Sequence, residues 1–531
     1  MNANNIVQKL WRLCTILRKD GITYQQYVTE LTYLLFLKMV EERGATLLDK
    51  TRKGPMLPTD YQWSVLKQLE GVQRLQRYRD TLTTLGNPEV RIDAKGVIVP
   101  LPATPEGKET EGQAKARKAK LEAYAAAEPL PRIVQLIFAN ASTFLREPAN
   151  LKELVDAIDK LHWFSEERDQ FGDLYEGLLQ KNAEETKRGA GQYFTPRVLI
   201  ECLVDLMQPQ PGEIIQDPAT GTGGFLIAAD RYMKAKTDEY FDLSETDQKF
   251  QREKAFHGLE NVPDTFRLLL MNLFLHGLEP EHVNLADTLS PKGEALPKSD
   301  LILTNPPFGP SGGAPTRSDL VATAGMSSYQ LPFVEHCIRS LNPGGRAAIV
   351  IPDNVLFEGG RGLELRRLMM NWCRVHTILR LPTGIFYAQG VKTNVLFLER
   401  AKDDNTKRKK DATTEVAVYD LRTNMPQFGK TNPLTRKHLM DFEAAYGADS
   451  NGHQHGSDEG EQGRFRKFSR EDIAARGDSL DITWLREESD APDDGLTEPE
   501  AIADAILGHL RAAVLEIEAL QEELAADEVS G

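Results

Sequence analysis

Asp217-Pro218-Ala219-Thr220-Gly221-Thr222-Gly223-Gly224-Phe225-Leu226 follows the apolar run Glu213-Ile214-Ile215 and opens a helical stretch. A glycine-rich turn between a strand and a helix is where an α/β sheet lets its backbone approach a ligand. From about 195 to 400 the alternation continues, with apolar runs at Asp300-Leu301-Ile302-Leu303, Ala347-Ala348-Ile349-Val350-Ile351 and Asn394-Val395-Leu396-Phe397-Leu398. Runs apolar on both faces and separated by helices predict a mostly parallel, helix-covered sheet, an open α/β domain.

The spacing around this loop excludes two nucleotide chemistries. A dinucleotide fingerprint needs an acid about 20 residues on, whereas the next acid at a strand end is Glu260 in Phe256-His257-Gly258-Leu259-Glu260. Hydride transfer is therefore not expected. Gly429-Lys430-Thr431 resembles the end of a phosphate-cradling loop, but Asn424 stands where the leading glycine is required, so no nucleotide-hydrolysing site is expected either.

Outward from this domain the patterns change. Ile6, Leu10, Leu13 and Leu17, then Tyr27-Leu31-Leu34-Leu35-Lys38-Met39, recur at three- and four-residue steps, which predicts an all-helical domain over residues 1–165. Within it, residues 95–120 are rich in Pro, Lys, Glu and Gly and read as an inserted flexible loop. Residues 401–411 and 448–463 read as polar surface loops. At the other end Ala503, Ile506, Leu510, Ala513, Ile517, Leu520 and Leu524 form a narrow heptad stripe. Such a stripe seeks a partner helix, in another chain or in its own domain.

The 531 residues, 40% apolar and 27% charged, suffice for about three domains. With 79 acidic against 64 basic residues, the formal charge of -15 is not that of a self-sufficient DNA binder, so any nucleic-acid contact is local or shared with a partner. Cys14, Cys202, Cys337 and Cys373 lie far apart, against a disulfide framework or a thiolate metal site. His453 and His455 lack a third ligand, so no metal is expected. The apolar stretch Leu31 to Leu37 is far shorter than the roughly 18 residues of a spanning helix, and the N-terminus lacks a signal-peptide pattern. A cytoplasmic protein without membrane contact is the expectation.

Asn305-Pro306-Pro307-Phe308 ends the run Leu301-Ile302-Leu303-Thr304, roughly 85 residues after the glycine loop. An exocyclic amine such as N6 of adenine is a poor nucleophile because its lone pair is conjugated into the ring. Attack requires acceptors that hold the amine near tetrahedral geometry. The Asn305 side-chain carbonyl and the Pro306 backbone carbonyl can accept its two N–H bonds, Pro307 stiffens the turn, and the Phe308 ring offers a stacking face for an extruded base.

These motifs resemble the modification (M) subunits of type I restriction-modification systems, family A, which are adenine-N6 DNA methyltransferases. The likeness runs through Lys9-Leu10-Trp11-Arg12-Leu13-Cys14, residues 171–182, Gly191-Gln192-Tyr193-Phe194-Thr195-Pro196-Arg197, Leu381-Pro382-Thr383-Gly384-Ile385-Phe386, residues 391–397 and Ser479-Leu480-Asp481-Ile482-Thr483-Trp484-Leu485. It implies a Rossmann-like S-adenosylmethionine-dependent methyltransferase domain over 166–475 and a C-terminal helical region over 476–531 for subunit docking. Gln192, Tyr193, Phe194, Thr195, Pro196 and Arg197 resemble the segment lying across the cofactor's methionine. Asp217, Ala219, Gly221, Thr222, Gly223 and Gly224 resemble the loop beneath its amino acid and sugar. Glu260 would accept the ribose hydroxyls. Asp287, in Asn284-Leu285-Ala286-Asp287, resembles the acid reading the cofactor's adenine amine, although Ala286 replaces the usual glycine and a solvent-facing Asp287 stays open.

The resemblance also implies partners: two M subunits clasping one specificity (S) subunit, an optional restriction (R) subunit, and double-stranded DNA whose target is chosen by S. Two other classes are weighed against it. NPP-aromatic motifs also serve methylation of a protein glutamine or an RNA base, and a non-catalytic S-adenosylmethionine-binding scaffold would retain the glycine loop. The long helical N-terminal domain argues against the first, and intact Asn305 and Phe308 against the second.

Overall fold

A computed structural model describes residues 8, 10–14, 21–43, 55–105, 109–160, 170–185, 195–278, 281–386, 391–403, 410–429, 432–485, 503, 507, 510, 511 and 514. Contacts divide the chain into two compact units, Met1–Thr186 with Asp264–Pro280, and Lys187–Pro263 with Glu281–Gly531.

The first unit is organised by the Tyr24–Arg43 helix, whose residues 27–37 are all buried. A helix apolar on every face is stable only when surrounded, and the Pro148–Asp159 and Gln170–Glu185 helices pack on it. Its one acid in that stretch, Glu30, is fully buried and accepts hydrogen bonds from Tyr78 Oη (2.7 Å), Thr143 Oγ1 (2.7 Å) and the Phe144 amide (2.5 Å). The segment Asp264–Pro280 contributes Phe274, 5.2 Å from the Phe36 ring, and Arg267, which donates to the Ile137 carbonyl at 2.9 Å.

Two expectations for this unit need correction. It is not all-helical, because β1 (Arg91–Ile92), β2 (Ile98–Val99) and β3 (Glu128–Pro129) form a small antiparallel sheet in the order β2-β1-β3. Nor are residues 95–120 simply a flexible loop, since they contain β2 and most of the Glu111–Ala126 helix. Thr110 starts that helix through a capping box with Gln113, satisfying amides that would otherwise be orphaned. Tyr124 fastens it by donating to the Glu89 carbonyl at 2.7 Å beneath the Arg91 guanidinium. Local capping and one aromatic anchor order a segment whose composition could not supply a core.

The second unit is a nine-stranded sheet: β4 (Ile215–Asp217), β5 (Phe256–Glu260), β6 (Val283–Leu285), β7 (Ser299–Thr304), β8 (Leu341–Pro352), β9 (Cys373–Arg380), β10 (Thr393–Arg400), β11 (Glu415–Asp420) and β12 (Phe465–Ser469). Their order is β12-β11-β9-β10-β8-β7-β4-β5-β6. The runs read from sequence lie in β4, β7, β8 and β10, the first starting at Ile215. Pairing from β6 across to β8 is parallel, as is β11 with β9, while β10 runs antiparallel between β8 and β9, with Val395 facing Val350 and Leu379. The sheet is therefore mixed, with parallel pairs in the majority. All eight residues of β10 are buried, so its pattern reports burial on both faces and says nothing of direction. Ile302, Ile349, Ile378, Leu396 and Val418 join Leu331 and Ile338 of the Gln330–Ser340 helix and Leu365 and Met369 of the Gly360–Trp372 helix in one core.

From β4 the chain builds outward to β5 and β6, then returns to place β7 on the other side of β4. The carboxyl ends of β4 and β7 thus border a topological switch point, where open α/β sheets bind ligands.

The 448–463 loop is pinned to the sheet through His455 Nε2, 2.8 Å from Thr377 Oγ1. Of the C-terminal stripe, Ala503 and Leu510 are described, helical and exposed, while Ile506, Ala513, Ile517, Leu520 and Leu524 lie outside the described residues. Among the described residues no helix is long and apolar enough to cross a membrane.

Candidate active site

β4 delivers Asp217 to the carboxyl edge, and the chain then turns through Gly221 (φ 55°) and Gly223 (φ 87°) into the Gly224–Lys236 helix. Both glycines occupy left-handed backbone that other residues adopt only at a cost. The turn is tied down by Thr220, whose amide donates to the Leu259 carbonyl (3.0 Å) and whose hydroxyl donates to that of Asp217 (2.8 Å). It fits only because Gly258 lies beside it in β5. A Cβ there would stand 2.3 Å from Thr220 Oγ1 and 2.9 Å from the Asp217 carbonyl oxygen.

Three acids stand at the ends of adjacent strands. Asp217, fully buried, accepts from Thr304 Oγ1 (2.7 Å) and the Ala219 amide (3.1 Å). Burial, reinforced by the charge of Glu260, pushes its carboxyl up to about 7 despite those hydrogen bonds. Glu260, at the end of β5, accepts from the Gly221 amide (3.0 Å) and the Val262 amide (2.7 Å). Burial raises its carboxyl above the usual range, and these amides pull it back. A carboxylate offers about four acceptor positions, so ligand hydroxyls can still be received. Asp287, half-buried just beyond β6, caps its own turn by accepting from the Leu289 amide at 2.9 Å, and Ala286 joins the Glu260 backbone carbonyl at 2.9 Å. Asp287 is thus neither fully solvent-facing nor free of a structural task.

Across the switch point β7 ends in Thr304 and passes into Asn305-Pro306-Pro307-Phe308. Asn305 Nδ2 donates to Thr195 Oγ1 at 2.9 Å, while Asn305 Oδ1 is buried with no hydrogen-bond partner. A buried carbonyl oxygen without a donor costs about 1–3 kcal/mol, so the fold keeps an acceptor ready for a donor it does not itself contain. Pro306 is buried, and Pro307 and Phe308 are half-buried. Thr195 and Pro196 precede the Arg197–Met207 helix, and Arg197 pairs with Glu201 one turn on at 3.0 Å. Gln192, Tyr193 and Phe194 lie outside the described residues.

The motif is followed by a loop held at both neck and tip. Tyr329 donates its amide to the Gly309 carbonyl (3.0 Å), and Ser311 to that of Ser327 (2.8 Å). Inside it, Arg317 clasps Asp319 and donates to the Thr288 carbonyl (3.0 Å) and to His336 Nδ1 (2.8 Å). His336 is thereby left to donate from Nε2 to Gln216 Oε1 (2.9 Å). Burial and the neighbouring Arg317 push that imidazole down to about 3, keeping it neutral. Buried Glu335 accepts from the Ala322 and Thr323 amides at 3.1 and 2.8 Å. Leu289, Leu320 and Phe333, with Ala219 and Tyr329 against them, close an apolar cluster between the Asp287 turn, this loop and the glycine loop.

The structure therefore gathers Thr195, Asp217, Ala219, Gly221, Glu260 and Asn305 into one hydrogen-bonded edge, with Asp287 joined through backbone. Sequence reasoning missed Thr304 and Gly258, although a threonine closing an apolar strand and a glycine within one are both usable signals. It also missed Arg317, His336 and Gln216, whose partnership spans 120 residues between Gln216 and His336 and leaves no local pattern. Among the described residues no group of three or more His, Cys, Asp or Glu is placed to hold a metal. His453 instead sits between Asp449 (3.4 Å) and Glu399 (3.6 Å).

The donor set fits a cationic nucleoside: acids whose ionisation is suppressed for want of a counter-charge, a backbone cradle that one added methyl would fill, and an orphaned acceptor across the crevice. Residues 166–493 match the N-6 DNA Methylase family and residues 6–99 the HsdM N-terminal domain. The StySPI methylase subunit of Salmonella potsdam is 44% identical over 559 residues, spanning 99% of this chain and 96% of that one. The type I restriction enzyme EcoKI methylase subunit of Escherichia coli K12 is 44% identical over 562 residues, spanning 99% and 97%. The crystal structure of the EcoKI M protein aligns with a TM-score of 0.53 at 40% identity over 98% of this chain and 96% of that one.

Proposed function

This chain belongs to the family of type I restriction enzyme methylase subunits and is a DNA methyltransferase of that class, and from that premise we propose that it methylates N6 of adenine in double-stranded DNA with S-adenosylmethionine as donor. The observation that carries the reading is the buried, unpartnered Asn305 Oδ1. In this role Oδ1 and the Pro306 carbonyl accept the two N–H bonds of an extruded adenine, drawing its lone pair out of the ring and stabilising the positive charge that grows on nitrogen. Phe308 stacks on the base, and Pro306 and Pro307 hold the turn rigid.

When bound, S-adenosylmethionine supplies an electrophilic methyl group on a sulfonium. Glu260 would hold its ribose hydroxyls, Asp287 its adenine amine, Asp217 and the Ala219–Gly224 backbone its amino acid and sugar, and Gln192 to Arg197 its methionine. The chain's contribution is alignment of donor and amine with exclusion of water. No covalent intermediate is required.

The reading divides the chain into a helical domain over 1–165, a catalytic domain over 166–475 and a docking region over 476–531. It places two copies around one S subunit, with an R subunit as optional further partner, in the cytoplasm. In the last region Leu507, Leu510 and Val514 are exposed by 48%, 56% and 50%, an apolar helical face suited to the helices of S. The S subunit would read the base edges that fix the target, consistent with a formal charge of -15. Transfer of labelled methyl to unmethylated duplex, with and without S, tests the proposal. N6-methyladenine formed only with S is the expected product, whereas methyl on cytosine, RNA or protein would overturn it.

A further inference from the structure

We infer that Thr195 is a positioning residue for the reaction: its hydroxyl accepts from Asn305 Nδ2 and so fixes the amide with Oδ1 facing the target amine. The inference rests on the reading of Asn305 given above and concerns a residue so far assigned only to the cofactor segment.

A terminal amide rotates easily between two orientations, and in the wrong one Asn305 would present N–H donors to an amine that itself donates. Something must select the rotamer. The only side-chain hydrogen bond made by Asn305 among the described residues is that from Nδ2 to Thr195 Oγ1, at 2.9 Å, and Oδ1 is left buried and unpartnered. Thr304 is unavailable for the task, since its hydroxyl donates to Asp217 Oδ1 at 2.7 Å. Asn305 is thus gripped through its backbone neighbour by the glycine-loop acid and through its side chain by the residue opening the Arg197–Met207 helix. Thr195 and Asn305 are 110 residues apart in sequence, and Thr195 lies in the stretch expected to cover the cofactor's methionine. Cofactor binding and amine acceptance would then share one hydroxyl, so that ordering of the former segment readies the acceptor for the latter.

The test compares Thr195→Val, which keeps shape and removes the acceptor, with Thr195→Ser, which keeps the hydroxyl, in the full chain assembled with its S subunit. Thr195→Ala and thermal unfolding are run beside them, so that a folding defect in the valine variant does not decide the matter. Because misplacement of a reacting group by about 1 Å can cost about 100-fold, kcat is expected to fall roughly 10- to 100-fold in Thr195→Val and Thr195→Ala. S-adenosylmethionine Kd and DNA KM should stay within about 3-fold, and Thr195→Ser should restore kcat to within about 3-fold of the parent. Undiminished kcat in the folded valine and alanine variants, or a rise in S-adenosylmethionine Kd that accounts for the whole loss, overturns the inference. Asn305→Ala in the same assay separates the two readings. If it is inert while Thr195→Val is fully active, only the role of Thr195 falls, and if Asn305→Ala itself turns over normally, the reading of Asn305 falls first.

Discussion

The two halves of the large sheet treat their buried acids in opposite ways. On the β8–β11 side each acid at a strand end meets an arginine. Asp353 is gripped by Arg422 through bonds of 2.8 and 2.9 Å, and Asp420 lies 3.5 Å from Arg380. Burial works against ionisation of Asp353, yet the bonds and charge of Arg422 outweigh it and hold the carboxyl below its usual range. On the β4–β7 side Asp217 and Glu260 are equally buried, no lysine or arginine pairs with them among the described residues, and both carboxyls are raised. Acids neutralised by the fold are structural, whereas acids kept short of a cation are held for one that arrives from outside.

The contrast can be broken experimentally. Asn305→Ala should lower methyl transfer at least about 100-fold, as loss of one preorganised transition-state contact does, with S-adenosylmethionine affinity retained in calorimetry. Asp353→Ala should cost about 3 kcal/mol in denaturant unfolding, because it strands a buried arginine. Gly258→Ala should cost about 1–3 kcal/mol and weaken cofactor binding with it, since its methyl would displace the glycine loop.

Asp217→Asn should weaken S-adenosylmethionine binding about tenfold or more without comparable damage to the fold. With a carboxyl raised to about 7, ionised Asp217 destabilises the folded chain increasingly as pH climbs from about 4 to 7. The asparagine variant should therefore gain stability above pH 7 and lose that advantage in acid. By the same titration, cofactor affinity of the parent should rise roughly tenfold between pH 6 and 8, and a flat profile would count against Asp217 as a cation partner. At the small end, Arg361→Ala, which breaks an exposed pair with Glu364, should change unfolding by less than about 0.5 kcal/mol.

What could be seen beforehand follows the range of the interactions involved. The glycine loop and the Asn305 turn each occupy a few consecutive residues, and their strands advertise themselves by apolar runs, so the α/β architecture and the facing edges were legible. The antiparallel insertion of β10 was not, because a strand buried on both faces has the same composition in either direction. The Glu111–Ala126 helix was hidden by a composition that suggested disorder, while its order comes from Thr110, Gln113 and Tyr124. The clasp of Arg317 on His336 and the grip of Thr195 on Asn305 join segments distant in sequence, and only the fold brings them together.

The most direct measurement is a structure of the complete complex with an unmethylated duplex and a non-transferable S-adenosylmethionine analogue. The account predicts an extruded adenine whose N6 lies about 3 Å from both Asn305 Oδ1 and the Pro306 carbonyl, with the analogue's sulfonium-equivalent centre on the opposite side of that nitrogen. An adenine left stacked in the duplex, or an extruded one whose amine is held by other groups, would contradict it.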